Sequence, residues 1–209
     1  MHGVADGVVA CGAQGTLVLF NATAREWHGM DAMALPPEEW GRHYDLFGPD
    51  GTTPLPTEAI PLLRAFRGET VRDAGMTIVA KGQPPRHILA SGGPFFDARH
   101  ILLGAVALMR DVTELKRAEE KLVLVMKGVD GASDAIGIWD AQGNHIYQNQ
   151  AMSNLFGYAT AEELQSAGGG PAAVKDPAVA QEMFAAIMTG GSWAGELEMV
   201  TKSGRVLPA

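Results

Sequence analysis

The sequence predicts an α+β fold that consists of two copies of one domain joined by a helix. Three observations support this prediction. One strand-turn-strand-helix pattern occurs twice, further apolar segments alternate with turn residues, and a charged amphipathic segment lies between the copies. The chain has 209 residues, of which 46% are apolar. It is therefore long enough for two small domains and too apolar for a disordered chain.

The repeat relates residues 7–30 to residues 135–158. Its shared residues recur at a fixed offset of 128 positions, so a chance match is improbable. The shared residues are Ala13-Gln14-Gly15 with Ala141-Gln142-Gly143, Asn21 with Asn149, and Gly29 with Gly157.

Each copy of the repeat predicts a β-hairpin that leads into a helix. Gly15 and Gly143 suit a turn position with positive φ, because glycine has no Cβ. Asn21 and Asn149 are preferred N-cap residues, since an asparagine side-chain oxygen accepts a hydrogen bond from the first helical turn. We therefore expect both asparagines to hold the corner between the second strand and the helix.

The remainder of the first copy predicts one longer helix and three strands. Residues 56–68 combine an apolar face with charged residues and end at a glycine, as helices often do. The strand candidates are residues 75–81, 86–95 and 101–110, which turn residues separate. In the second of these strands, Gly92-Gly93 predicts a bulge or a bend.

The segment 111–122 predicts the helix between the copies. Asp111 and Glu114 form an acidic variant of the capping box, so the helix is expected to begin at Asp111. Apolar residues then recur at alternating steps of three and four, as in a coiled coil. These residues, called the helix stripe below, are Leu115, Ala118, Leu122 and Val125. Either a partner helix or the sheet of the same domain could cover the helix stripe.

The second copy follows a break at residues 128–134. Its predicted elements are a short helix with a capping box of Thr160 and Glu163, a flexible loop at 168–171, a longer helix at 176–188, and the approach to a third strand at 190–196.

The second copy is expected to lack its last two strands. Residues 79–81 match residues 200–202, and this offset places the counterpart of Asp111 near roughly position 232, beyond the last residue. We therefore expect the chain to be a fragment of a longer protein; the alternative is that another chain completes the second copy.

These features resemble the PAS sensory domain, present twice. In that family a hairpin leads into short helices and three more strands, which together form a five-stranded antiparallel sheet with the helices on one face. Asp111-Val112-Thr113, with Val in place of Ile, resembles the triplet that ties the last PAS strand to a following charged helix. The resemblance implies a first PAS-like domain at residues 1–112, a helical linker of coiled-coil character at 113–130, and an incomplete second PAS-like domain at 131–209.

Charge and residue inventory argue against several functions. The net charge of −8 gives no basic surface for nucleic acid. The single cysteine, Cys11, and six unpaired histidines offer no metal site, and Cys11 is expected to be a small buried residue. We find no acid, base and nucleophile in one pattern, which predicts a non-catalytic chain. The longest charge-free apolar run, residues 101–109, is far shorter than the roughly 20 residues of a membrane helix, so we expect no membrane contact from this chain. A single cysteine fits a reducing compartment, so a cytoplasmic location is expected.

The resemblance also bears on cofactors. The Asn-Cys-Arg-Phe-Leu run of flavin-adduct PAS domains is absent, and neither predicted long helix contains the histidine that haem-binding relatives use, so neither a covalent flavin adduct nor haem is expected. Noncovalent FAD or FMN is the minority interpretation, and a small apolar or carboxylate ligand, or none, is preferred. Candidate cofactor-binding residues are Trp27, Trp40, Asn149 and Trp193; core packing is the alternative role of the tryptophans.

The resemblance implies a sensory and dimerisation module of a bacterial-type signal-transduction protein. Such a module would form a homodimer, sense a small ligand or a cofactor state, and pass the change through the helix that follows Asp111-Val112-Thr113 to a downstream output domain. Two alternatives stay open: a dimerising scaffold without a ligand, and a fragment of a histidine kinase or diguanylate cyclase whose enzyme domain lies outside this chain.

Overall fold

The structure is a computed structural model that describes residues 6–140 and 142–208. Ala141 of the repeat and the outermost predicted domain ends, residues 1 and 209, lie outside the described residues. The chain forms two compact units, Met1–Glu119 and Glu120–Ala209, and the division between them falls within one continuous helix. Among the described residues, none of the helices is long and apolar enough to cross a membrane.

The first unit contains one antiparallel sheet in the order β2-β1-β6-β5-β4-β3. Its strands are β1 Gly7–Gly12, β2 Leu17–Phe20, β3 Leu46–Phe47, β4 Val71–Ile78, β5 Arg86–Phe96 and β6 Leu102–Asp111. Five of these strands are the predicted ones, and the sixth, β3, adds only two residues at the edge beside β4. The last predicted strand, β6, lies centrally between β1 and β5.

The helices of the first unit pack against the sheet, α1 against β1 and α3 against β5 and β6. They are α1 Ala22–His28, α2 Pro37–His43 and α3 Pro61–Phe66, with a 3-10 turn at Thr57–Ala59 before α3. The prediction of one helix over residues 56–68 is therefore wrong. Pro61 disfavours a helical backbone at the preceding residue, and Ile60 is extended with ψ of 121°.

The irregularity predicted at Gly92-Gly93 lies on one side of β5 and belongs to the neighbouring strand. The pairing of β4 with β5 shifts between Val71, which pairs with Gly92, and Ala74, which pairs with Ala90, so the extra residue is in β4. The pairing of β5 with β6 is continuous through Gly92 and Gly93 and shifts between Phe95 and Phe96. At Gly92 a Cβ atom would lie 2.2 Å from the backbone oxygen of Val106, whereas at Gly93 it would meet open space. Gly92 is thus required by the close approach of the neighbouring strand.

The turns and corners of the repeat are confirmed. Gly15 and Gly143 have φ of 72° and 82°, and both asparagines are N-caps whose side chains accept hydrogen bonds from the following helix. Gly29 and Gly157 end these helices with a left-handed backbone. Cys11, in the middle of the hairpin, is fully buried, and this burial raises the pKa of its thiol.

The helix between the repeats, α4, spans Thr113–Asp130. The second unit then contains two separate two-stranded sheets and four helices within residues 131–140 and 142–208. These elements are β7 Gly137–Trp139, β8 His145–Gln148, α5 Gln150–Phe156, α6 Ala161–Ser166, α7 Gly169–Ala172, α8 Pro177–Met188, β9 Glu198–Val200 and β10 Val206–Pro208.

One prediction for the second unit needs correction, and another is confirmed. The predicted loop at residues 168–171 overlaps the short helix α7, because Gly168 turns the chain with φ of 111° and Pro171 is tolerated in a first helical turn. Residues 190–196 lead into a strand as predicted, and that strand, β9, begins at Glu198. Thr201 and Gly204 then turn the chain so that β10 pairs with β9.

Candidate functional site

The best defined polar cluster of the first unit lies where β6 ends and α4 begins. We call Arg86, His87, Asp111 and Thr113 the sheet-helix junction. One carboxylate oxygen of Asp111, Oδ2, accepts a hydrogen bond from Arg86 Nη1 at 3.0 Å, and the other, Oδ1, accepts one from the backbone N–H of Thr113 at 2.8 Å. The same carboxylate therefore contacts the first residue of β5 and the first residue of α4.

Thr113 and Val112 make a second connection between helix and sheet. The backbone N–H of His87 donates to Thr113 Oγ1, and the backbone N–H of Val112 donates to the oxygen of His87, both at 2.9 Å. Thr113 is buried. The three residues of the predicted triplet thus tie the first turn of α4 to the beginning of β5.

The predicted capping box of Asp111 and Glu114 does not form. Asp111 is the last residue of β6, where Arg86 and the strand pairing hold it, and α4 begins two residues later at Thr113. Glu114 instead pairs with Arg117, one turn further along α4, at 2.9 Å. A partner distant in sequence therefore determines the conformation of Asp111.

The electrostatics of the junction favour a charged Asp111. Burial raises the pKa of Asp111. Hydrogen bonds from Thr113 and the charge of Arg86 lower it by a larger amount, so the pKa lies below the ordinary value of 3.8. The side chains of Arg86 and Asp111 are only 27% and 18% exposed. The guanidinium of Arg86 also lies 5.9 Å from the ring centre of Trp27 in α1. The junction is thereby linked to the core beneath α1.

The helix stripe on α4 is exposed in the single chain. Leu115, Leu122 and Val125 are 60%, 65% and 52% exposed, and Ala118 is exposed as well. Of the two coverings that the sequence left open, packing against the sheet of the same domain is therefore not observed.

A small apolar cavity lies in the core of the first unit. It has a volume of about 40 Å³ and is lined by Val9, Leu17, Phe20, His28, Trp40, Tyr44, Leu46, Leu62, Met76 and Met109. His28 is 4% exposed, its Nδ1 atom has no hydrogen-bond partner, and burial lowers its pKa to about 4. His28 is therefore neutral at physiological pH and presents one unused nitrogen in an apolar environment.

The cavity does not fit a flavin. Sites for ligands of drug size have volumes of about 300–1,000 Å³, several times that of this cavity. Trp40 lines it, but the indole nitrogen of Trp40 donates to the oxygen of Leu35. Trp27 is buried elsewhere in the core, beside Gly7. Both tryptophans of the first unit thus have the core-packing role that was the alternative interpretation.

The two candidate cofactor residues of the second unit do not form a site together. All hydrogen-bonding positions of the Asn149 side chain are used by backbone groups: Oδ1 accepts two hydrogen bonds and Nδ2 donates two. Trp193 is partly exposed in a segment without regular structure, where its ring lies near Gly195. Asn149 therefore has no donor or acceptor left for a cofactor.

Sequence reasoning missed Arg86 and His28. Arg86 follows the turn residues Pro84-Pro85 and looks like an ordinary solvated residue at the start of a strand. His28 ends α1 just after the charged residues Arg25 and Glu26. The neighbouring Trp27 is the signal in the sequence that could have indicated a buried segment.

Comparison with solved structures finds similar chains of low sequence identity. A PAS domain from Colwellia psychrerythraea is 20% identical, with 52% of this chain and 87% of that chain covered and a TM-score of 0.37. A sensory box histidine kinase/response regulator from Burkholderia thailandensis is 16% identical, with 60% and 90% covered and a TM-score of 0.40. A domain of a sensory box sensor histidine kinase/response regulator from Geobacter sulfurreducens is 19% identical, with 53% and 85% covered and a TM-score of 0.34.

Comparison with curated proteins gives no match. Comparison with family profiles matches both units in tandem. Residues 2–117 match a family described as the PAS fold, and residues 133–209 match a second family described as the PAS domain. The first match alone spans more than half of the chain. The chain belongs to the PAS family and carries two PAS domains in tandem.

Proposed function

We propose that this chain is a sensory module of a signal-transduction protein, in which a change in the first PAS domain reaches α4 through the sheet-helix junction. The PAS family supports a signal-sensing role. The observation that carries the finer proposal is the carboxylate of Asp111, which binds Arg86 of β5 and the first N–H of α4 at the same time.

The position of the junction suits this role. Arg86 and His87 begin β5, which pairs with both β4 and β6. A shift of β5 relative to β6 would move Arg86 against Asp111 and move His87 against Thr113. Since Thr113 is buried and holds the first turn of α4, the helix would tilt or rotate rather than fray.

The occupant that we propose for the helix stripe is the α4 helix of a second copy of this chain. The support is the alternation of three and four residues between exposed apolar side chains, which is the spacing of a two-stranded coiled coil. A homodimer joined in this way would place two helices side by side, so that a rotation of one α4 helix changes its packing with the other.

The signal itself is proposed to be a small, mainly apolar ligand in the first PAS domain. The support is the cavity beside His28, whose volume of about 40 Å³ admits only a few atoms unless flexible side chains such as Met76 and Met109 rearrange. Native mass spectrometry of gently purified protein separates this proposal from the alternative, a ligand-free dimerising scaffold. A stoichiometric bound molecule is expected; intact dimers without any bound molecule would favour the scaffold.

The coupling of sheet and helix is tested by hydrogen exchange in the full chain. The amide of Lys116, which donates to the oxygen of Val112 in the first turn of α4, is the reporter. Arg86→Gln is expected to accelerate its exchange several-fold, because Asp111 loses a charged partner. Arg64→Gln is the matched control, since it removes the ion pair of Arg64 with Glu69 elsewhere in the same domain. Equal exchange of the Lys116 amide in the two variants would contradict the proposed coupling.

A further inference from the structure

We infer that Asn149 is the positioning residue through which α4 acts on the second PAS domain. This inference rests on the proposed function, because it concerns the far end of the helix that the sheet-helix junction is proposed to move. It also replaces the earlier prediction of a cofactor-binding role for Asn149.

The side chain of Asn149 connects three backbone segments through four hydrogen bonds. It is fully buried. Its Nδ2 atom donates to the oxygen of Val129 in the last turn of α4 at 3.0 Å and to the oxygen of Asp134 at 2.9 Å. Its Oδ1 atom accepts from the N–H of Ile136, just before β7, at 2.9 Å and from the N–H of Met152 in α5 at 3.0 Å.

The first PAS domain provides an internal comparison. Asn21 Oδ1 accepts hydrogen bonds from Val8 and Ala24, and Asn21 Nδ2 donates to Asp6. These three partners are the counterparts of Ile136, Met152 and Asp134, each 128 positions earlier. Three of the four bonds of Asn149 thus belong to the common corner of the fold. The fourth bond, to Val129, joins that corner to α4.

The side-chain amide of Asn149 is a rigid connection because all of its hydrogen-bonding positions are used. An asparagine side chain has two N–H donors and one oxygen that accepts two hydrogen bonds, and Asn149 uses all of them. A displacement of Val129 must therefore either break a buried hydrogen bond or move the amide, and the first is costly. If the amide moves, the start of β7 and the first turn of α5 move with it.

A second contact strengthens the end of α4. The hydroxyl of Tyr147, in β8, donates to the carboxylate of Asp130, the last residue of α4. Tyr147 is partly exposed, so this bond is expected to contribute less than the buried amide. Both contacts lie within the second unit and hold the same helical turn.

The test loosens one end of α4 and observes the other in the full chain. Asp111→Asn weakens the sheet-helix junction, and NMR then follows the side-chain amide of Asn149, with the backbone amide of Lys116 as reporter of the near end. We expect the Asn149 side-chain resonances to shift and their exchange with solvent to accelerate about threefold or more. The control is the side-chain amide of Asn144, which binds Asp140 in the same domain away from α4 and is expected not to change.

A break in the middle of α4 completes the test. In the Asp111→Asn background, Glu120→Pro removes a helical hydrogen bond and kinks the helix, and should abolish the response of Asn149. Glu120→Ala should leave the response intact. Glu120→Gly serves the same purpose as the proline variant if that variant fails to fold.

The outcomes separate the two proposals. A response of both Lys116 and Asn149 that Glu120→Pro abolishes supports the inference. A response of Lys116 without one of Asn149 overturns the inference and leaves the proposed function standing. If neither responds, the proposed function fails and the inference falls with it. A purely structural Asn149 would not sense a substitution at Asp111 at all.

Discussion

Asp111→Ala is expected to destabilise the first PAS domain by about 2–4 kcal/mol. The substitution removes the hydrogen bond to Thr113 N–H at 2.8 Å and the ion pair with Arg86 at 3.0 Å. A hydrogen bond to a charged group contributes about 1.5–3 kcal/mol. Because solvent reaches 27% of Arg86 and 18% of Asp111, we assign the ion pair only about 0.5–1 kcal/mol. Asp111→Asn keeps an oxygen for Thr113 and should cost about 1 kcal/mol.

The assay is hydrogen exchange of the slowest amides in β5 and β6. Exchange resolves the first domain by itself, whereas denaturant curves of a chain with two units need not follow a two-state transition. The pH dependence has a definite sign. Since the pKa of Asp111 is below 3.8 in the folded protein, its contribution is present above that pH and is lost as the pH falls through the folded value.

A matched control is Asp97→Ala in the turn between β5 and β6. Oδ1 of Asp97 accepts hydrogen bonds from the backbone of Arg99 and Ile101, both at 2.8 Å. Its loss also weakens the first domain, but it should leave exchange at Lys116 in α4 unchanged relative to the other local amides. Stabilities of Asp111→Ala and Asp111→Asn within about 0.3 kcal/mol of each other, close to the additivity error of such measurements, would refute the reasoning.

Three further predictions concern the dimer, the sheet and the cavity. Leu122→Asp should weaken dimerisation at least about tenfold by placing charge in the helix stripe. Leu124→Asp, at a residue that is similarly exposed but outside the helix stripe, should not weaken it. Sedimentation equilibrium measures the dimerisation constant of each variant, and equal effects would contradict the proposed dimer. Gly92→Ala should cost about 2 kcal/mol or more through its clash with β6, while Gly93→Ala should be nearly neutral in thermal unfolding; similar melting points would disprove this. The free energy of unfolding of the first domain should fall by up to about 3 kcal/mol between pH 6.5 and pH 4, because His28 is protonated below pH 6.5 in the unfolded chain but only below its pKa of about 4 in the folded protein. His28→Phe should remove that part of the pH profile. An unchanged profile would show that His28 is not responsible.

The parts of the fold that local chemistry determines were predictable from the sequence. A turn that needs positive φ requires a residue such as Gly15 or Gly143, and a helix that follows a strand favours a cap such as Asn149. These signals lie within a few residues of the structure that they specify, and both copies of the repeat show them.

The errors arose where a distant partner decides the conformation. Asp111 has the local sequence of a helix cap, yet its pairing with Arg86 and with β5 keeps it in the sheet. Gly92 suggested a bulge, but the approach of the Val106 backbone from the next strand is what requires a glycine. That all four hydrogen-bonding positions of the Asn149 side chain are used is likewise visible only when the fold brings Val129 and Met152 together.

The buried position of Cys11 makes its thiol a chemical probe of local opening in the first sheet. Cys11 lies in β1, which pairs with β2 and β6; its side chain is fully buried, and its raised pKa keeps the sulfur protonated. A thiol reagent can reach it only while the first hairpin is detached from β6, so the labelling rate counts those openings. Because Cys11 is the only cysteine in the sequence, the rate of thiol labelling of the protein without any substitution measures how often the first sheet opens.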